Sequence, residues 1–277
     1  VWPSCIIIGG GKSINEGVKF GLWDKIRGKF TVGTNASFYF YSTPTIQTFV
    51  DSGFFKENEK EFLSLPMTIG KWTDRSAEYA NVYTFLPSTK YLGKESIKIG
   101  RIYTSKLVGL FALTFVISLG VKKIYLLGYD WTKTGEGKLV ANKRTGALDT
   151  TVTHFFQESD VKILGHGGQG KTRFYDNNDP NKYFKCYERE TDVAIYNVNP
   201  NSNIENFSKI TYKDMFGMLE AENYNQDKLR ERIKSIISTS ATRNLKVSEI
   251  KHLPKKRQMF NNKRKGRVRT SRTRGTI

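Results

Sequence analysis

Apolar and polar positions alternate between short continuous hydrophobic runs and longer amphipathic stretches. Ser4–Ile8 (SCIII) is an unbroken apolar run followed by Gly9, Gly10 and Gly11. It predicts a buried strand ending at a glycine turn. Ser13 with Glu16 three residues on has capping-box spacing, so a helix is expected next, burying Ile14, Val18 and Leu22. A second strand is expected over Phe30–Thr34, ending at Asn35. The stretch Ser42–Gly93 is rich in turns and aromatics, with strands read at Met67–Ile69 and Asn81–Phe85. Thr104–Leu119 is apolar nearly all round, as in a buried helix, and Gly120 closes it. Lys123–Leu127 (KIYLL) predicts a further buried strand before Gly128, Tyr129 and Asp130.

The stretch from Thr132 to Asp179 is glycine-rich and weakly periodic, which suits binding loops. A helix over Asn181–Glu190, a strand over Val193–Val198 and a turn at Asn199–Ser202 follow, with helices near 211–219 and 223–238. No internal repeat is present. Strands that are continuous apolar runs, alternating with helices, indicate an α/β fold: a Rossmann-like, mostly parallel sheet with helices on both faces. Such sheets bind ligands at the carboxyl ends of their strands. Four polar or glycine clusters are expected on that rim: Gly9–Ser13, Asn35, Gly128–Asp130 and Asn199–Ser202.

Charge changes the picture at one end. The 277 residues carry a formal net charge of +19. Residues 228–277 account for +15 of this and residues 1–227 for only +4. From Pro254 onward there are ten basic residues and no acids: Lys255, Lys256, Arg257, Lys263, Arg264, Lys265, Arg267, Arg269, Arg272 and Arg274. So little apolar surface cannot offset ordering entropy, so a flexible basic tail is expected, either solubilising or polyanion-binding. The division read from the sequence is a Rossmann-like domain over 1–222, a helical segment over 223–253 and the tail over 254–277. The longest uncharged apolar stretch, Leu107–Leu119, is too short to span a membrane. With no signal peptide visible and two cysteines that build no disulfide framework, a cytoplasmic setting is expected.

Candidate chemistry gathers at the expected rim. In Gly9-Gly10-Gly11-Lys12-Ser13 a Walker A loop fails, because Ile6 stands where its first glycine belongs. A dinucleotide fingerprint is only partial, because position 14 is Ile. Two readings remain: a tight strand–helix turn, or a cradle in which glycines admit a ligand to free N–H groups. Asn35 is either a turn residue or a hydrogen-bonding partner for a ribose or base. Thr104 and Ser105 either cap the buried helix or face a ligand from its start. Asp130 lacks a second acid at Thr132, so no Asp-x-Asp metal motif is present and no obligatory metal is expected from it. His154 and His166 are the two histidines of the glycine-rich stretch and the candidates for a general base.

These residues together resemble the Rossmann-like sialyltransferase and motility-accessory-factor superfamily of glycosyltransferases, including related phage proteins. Ile6–Ile14 (IIIGGGKSI) is similar to the family's strand and Gly-x-Gly-Pro-Ser-Leu turn, with Lys12 in place of Pro. Thr34–Phe40 (TNASFYF) is similar to its Asn-x-Phe-Tyr-Phe strand end. Thr104–Trp131 resembles its Thr-Ser-Gly helix and Ile-Tyr-Leu-x-Gly-x-Asp strand, with Lys106 in place of Gly. Val193–Phe207 (VAIYNVNPNSNIENF) resembles its last core strand and Pro-Asn-Ser turn. The resemblance implies a glycosyltransferase using a CMP- or UDP-linked nucleotide sugar, with no obligatory cofactor. It implies that Gly9, Gly11 and Ser13 hold the phosphate side, that Asn35 and Ser105 contact nucleotide or sugar, and that Asn201 and Ser202 bind the nucleoside. His166 fits the family's base, with His154 as second choice. Two acceptors come into view. The basic tail suggests modified phage DNA in a host cytoplasm; the family suggests a surface glycan. The rival from another class is a non-catalytic nucleic-acid-binding or virion-associated protein that keeps the fold.

Overall fold

The computed structural model describes residues 1–71, 79–104, 107–131, 140–141, 148–149 and 179–239. They belong to a compact unit spanning Val1–Arg243; a second unit, Asn244–Ile277, lies outside the described residues together with the whole basic tail. The strands of the main sheet are β1 (Cys5–Ile8), β2 (Phe30–Thr34), β3 (Ile46–Phe49), β4 (Thr68–Lys71), β5 (Val82–Ser88), β6 (Arg101–Tyr103) and β7 (Lys123–Leu127). A two-residue hairpin, β8 (Val140–Ala141) with β9 (Leu148–Asp149), stands apart, and β10 (Ala194–Asn197) and β11 (Ser208–Lys209) complete the main sheet. Its nine strands run in the order β11-β10-β7-β1-β2-β3-β4-β5-β6, and every pairing is parallel. The fold is thus α/β and Rossmann-like, as expected.

Why the central strands read as unbroken apolar runs is plain from their two faces. Cys5 and Ile7 of β1 pack into one core cluster, Ile6 and Ile8 into the other. Ile124 and Leu126 of β7 join the first cluster, Tyr125 and Leu127 the second. A parallel sheet covered on both sides leaves neither face for polar residues. On one face lie α5 (Glu95–Lys98), α6 (Val108–Ser118), α7 (Pro180–Phe184) and α9 (Gln226–Thr239). The other carries α1 (Ile14–Lys19), α2 (Leu22–Lys25), α3 (Ser52–Glu57), α4 (Glu59–Ser64) and α8 (Tyr212–Met218). Helix α6 is buried from Leu110 through Ile117, which accounts for its lack of a polar face. Leu229, Ile233 and Ile237 of α9 pack in the same cluster, so this helix is part of the compact unit.

Three local expectations are corrected. The chain after Gly100 forms edge strand β6 before any helix starts. Thr104 extends its ladder by donating its N–H to the Ser88 carbonyl at 3.4 Å, and α6 begins at Val108 with Leu107 at its N-cap. Thr104 therefore does not cap the helix. Ser13 does not cap α1 with its hydroxyl either, because Asp130 takes that hydroxyl. Helix α1 is only six residues long, Val18 is 42 % exposed, and Leu22 is buried from α2 instead, beyond the left-handed Gly21 (φ 74°). The aromatic middle of the chain, hard to divide by pattern, forms β3, α3 and α4 around stacked Phe49, Phe55 and Phe62.

A cluster on the opposite edge of the strands closes the unit. The ammonium of Lys29, a residue that is 8 % exposed, donates to the carbonyls of Glu220, Ala221 and Glu222 at 2.6, 3.3 and 2.9 Å. Gln226 bridges Thr45 to the Gly28 carbonyl. The segment leading into α9 is thereby bound to the start of β2 and β3.

Candidate functional site

Strand β1 pairs with β2 on one side and β7 on the other, so the connections leave it in opposite directions. This is the topological switch point, where parallel sheets hold ligands beyond the carboxyl ends of their strands. The expected rim forms there. The turn after β1 lies directly on the turn after β7: the Gly9 N–H donates to the Leu127 carbonyl at 2.7 Å and the Gly11 N–H to the Gly128 carbonyl at 2.9 Å.

Asp130 holds three segments of this rim. Its carboxylate accepts from the Ser13 N–H at 2.8 Å, the Ser13 hydroxyl at 2.5 Å and the Asn199 side-chain amide at 2.9 Å. Its backbone carbonyl accepts from the Asn203 N–H at 3.0 Å. Ser202 donates its hydroxyl to the Tyr129 carbonyl at 2.7 Å and accepts from the Asn197 amide at 2.9 Å. The Asn201 N–H caps the Asn199 side chain at 2.9 Å. Loops after β1, β7 and β10 are therefore joined by side chains 60 to more than 100 residues apart in sequence, as the Asp130–Asn199 and Ser13–Asp130 separations of 69 and 117 show.

The glycines play a part different from admitting a ligand. A Cβ on Gly9 would stand 2.8 Å from the Leu127 carbonyl oxygen, and one on Gly11 2.5 Å from the Asp130 carboxylate. Both residues are glycine because the β1 and β7 turns touch. Their N–H groups, and that of Ser13, are spent inside the protein. Among the described residues nothing accepts from the Gly10 N–H, and the neighbouring Lys12 is half-buried.

Two other sequence candidates carry buried oxygens without partners among the described residues. Asn35, at the end of β2, adopts the left-handed conformation (φ 45°), which Asn tolerates better than most side chains. Its carbonyl accepts from the Gln47 amide at 2.9 Å, while its Oδ1 is buried and unpaired. Thr104, at the end of β6, is 4 % exposed and its Oγ1 is also unpaired. The Leu107 N–H returns to the Thr104 carbonyl at 2.6 Å, and the start of α6 meets the β7 turn where the Tyr129 hydroxyl donates to the Gly109 carbonyl at 3.0 Å. Burial pushes the Tyr129 phenol far above its usual range, so it acts there as a neutral donor. A buried polar atom without a partner is costly, and such atoms mark where a water or ligand belongs.

The structure thus brings Gly9, Gly10, Gly11, Lys12, Ser13, Asp130, Asn201 and Ser202 into one rim, with Asn35 on the adjoining strand end. Ser105, His154, His166 and the basic residues Lys255 through Arg274 lie outside the described residues. Sequence reasoning placed Asn199 on the rim within the Asn199–Ser202 turn but gave it no partner, and overlooked Asn203; their amides tie the β10 loop to Asp130 and to the Trp131 carbonyl. The run of four Asn in Asn197–Asn203 was the available signal. Among the described residues no cluster of three or more His, Cys, Asp or Glu side chains is placed to hold a metal ion, and no helix is long and apolar enough to cross a membrane. Compared with known families, with curated proteins and with solved structures, the chain matches none.

Proposed function

We propose that the chain is a nucleotide-sugar-dependent glycosyltransferase whose donor lies across the carboxyl ends of β1 and β7. The observation that carries this reading is the switch-point rim itself. The loops after β1, β7 and β10 are bonded into one fixed edge, and the adjoining Asn35 keeps a buried acceptor unpaired. A fixed polar edge at a switch point suits a nucleotide. On this reading the Lys12 ammonium and the Gly10 N–H meet the donor phosphate and stabilise the charge that grows on it as the glycosidic bond breaks. Asn35 accepts from a ligand hydroxyl or amino group. His166, with His154 as second choice, takes the proton from the acceptor hydroxyl as its oxygen attacks the anomeric carbon.

The test is a thermal-shift series with CMP, UMP, UDP, GDP, ADP and NAD, with and without magnesium. Ligand at 100 times Kd stabilises the native state by about 2.7 kcal/mol, which raises Tm by about 5–10 °C for a unit of this size. A shift with a pyrimidine nucleotide supports the reading, and no shift with any nucleotide refutes it. His166→Ala is expected to abolish sugar transfer while keeping nucleotide binding.

The tail favours a polyanionic acceptor. Ten cations in 24 residues release phosphate counterions on binding, giving a salt slope of up to about 9. Deleting 254–277 is expected to remove DNA binding and its salt dependence. Retention of both by the truncated chain refutes the tail's role. Tight DNA binding without any nucleotide response favours the non-catalytic nucleic-acid-binding reading instead.

A further inference from the structure

Trp131 stands directly after Asp130 at the end of β7, with φ 49°. A bulky side chain rarely occupies the left-handed region, and does so only where its surroundings hold it. Here the hold is visible. The Asn203 amide donates to the Trp131 carbonyl at 2.8 Å, and the Asn203 N–H donates to the preceding carbonyl, that of Asp130. The indole packs on Tyr183 at 5.5 Å between centroids and 36° between planes, and edge-on to Phe184 at 6.3 Å. Both Trp131 and Tyr183 are only half buried. A left-handed turn ordinarily takes glycine, as at Gly128 three residues earlier.

We infer that the Trp131 indole, backed by Tyr183, is the plane on which the nucleobase of the ligand stacks. The inference rests on the nucleotide reading above and extends it to the base. The rim divides in two about β7. On the β1 side stand Lys12 and the Gly10 N–H, suited to a phosphate. On the β10 side stand Trp131, Tyr183 and Asn203. A nucleotide laid across the switch point with its phosphate at Lys12 brings its base to the aromatic side. A flat heteroaromatic ring gains most from an indole face, and such stacking is tolerant of base identity.

The experiment uses the full chain, CMP and UMP as probes, and ribose 5-phosphate as the base-free control. Among the described tryptophans, Trp131 is the one at the rim, so with Trp72 replaced by Phe throughout, nucleotide binding is expected to quench part of the emission and to quench none in Trp131→Phe. By calorimetry Trp131→Phe keeps Kd within about threefold, while Trp131→Ala raises Kd about 5- to 100-fold and leaves ribose 5-phosphate binding unchanged. Should Trp131→Ala fail to fold, the quenching comparison with Trp131→Phe decides alone. Unchanged nucleotide Kd in folded Trp131→Ala, or quenching that survives in Trp131→Phe, overturns the inference while leaving the nucleotide reading standing. An equal loss of ribose 5-phosphate affinity assigns the ring to the sugar and overturns it as well. Absence of nucleotide binding in the wild type refutes the nucleotide reading, and the stacking inference with it.

Discussion

Replacing Asp130 with Asn tests whether this carboxylate assembles the rim. The change keeps size and shape and alters only hydrogen-bond polarity. All three partners of the side chain are donors: the Ser13 N–H, the Ser13 hydroxyl and the Asn199 Nδ2. An asparagine has one accepting oxygen, so its NH2 must face a donor whichever way the amide is turned. With Oδ1 accepting from Asn199 and the Ser13 hydroxyl, the NH2 confronts the Ser13 N–H, which cannot rotate away; turned the other way, the NH2 confronts the Asn199 amide, and the hydroxyl alone can turn to accept. One or two charge-assisted bonds are lost, each about 1.5–3 kcal/mol. Because the Asp130 residue is 8 % exposed, water replaces them poorly. A net loss of about 2–3 kcal/mol lowers Tm by roughly 5–10 °C at this size. The assay is thermal and urea unfolding of Asp130→Asn, Asn199→Leu and the double variant, the first giving Tm and the second the free energies for the cycle. Coupling of about 1 kcal/mol or more between the two sites is expected. A Tm for Asp130→Asn within 1 °C of wild type, or strict additivity with Asn199→Leu, would refute the reasoning.

Other expectations concern single groups. Gly11→Ala places a Cβ 2.5 Å from the Asp130 carboxylate and 2.7 Å from the Gly128 carbonyl, and is expected to cost about 2 kcal/mol or more by overpacking. Gly217→Ala, in α8 with nothing within 4 Å, is expected to stabilise by about 0.5–1 kcal/mol from helix propensity; the two melts should move in opposite directions. The Asp192 carboxyl is lowered to about 2 by Lys122 and then Lys94, which both bond to it. A depressed carboxylate stabilises above its unfolded value and loses that contribution as pH falls through its folded one, so wild type and Asp192→Asn should diverge in pH dependence between about pH 4 and 2. The difference should shrink with added salt. Burial pushes the Cys186 thiol up to about 11 and that of fully buried Cys5 well above its usual value, so alkylation near pH 8 should be slow at Cys186 and absent at Cys5 until urea unfolds the chain. Rapid labelling of either in the native protein would contradict the burial described.

How far the sequence could be read follows from which interactions are local. Strands β1 and β7 were legible because both their faces are buried, so nothing polar interrupts SCIII or KIYLL. The start of α6 was not. Ile102 and Tyr103 continue the apolar pattern into the helix, and only pairing with β5 makes them a strand. The Ser13–Glu16 spacing pointed to a local cap, yet a carboxylate 117 residues away competes for the same hydroxyl and wins. Four rim clusters could be placed because each follows a strand. The work of Asn199 and Asn203 could not, since their partners lie on another strand end.

The strand order has a consequence for how the chain is made. Strand β1 sits in mid-sheet, yet its second neighbour, β7, leaves the ribosome about 120 residues after it. At ~5–20 residues per second, one edge of β1 waits roughly 6–24 s for its partner. During that interval an apolar strand lies open to a neighbouring chain or a chaperone. Nascent chains stalled before residue 123 should therefore bind a hydrophobic holdase that chains stalled well beyond 250 release. Equal binding at both lengths would show that β1 is shielded in some other way before β7 arrives.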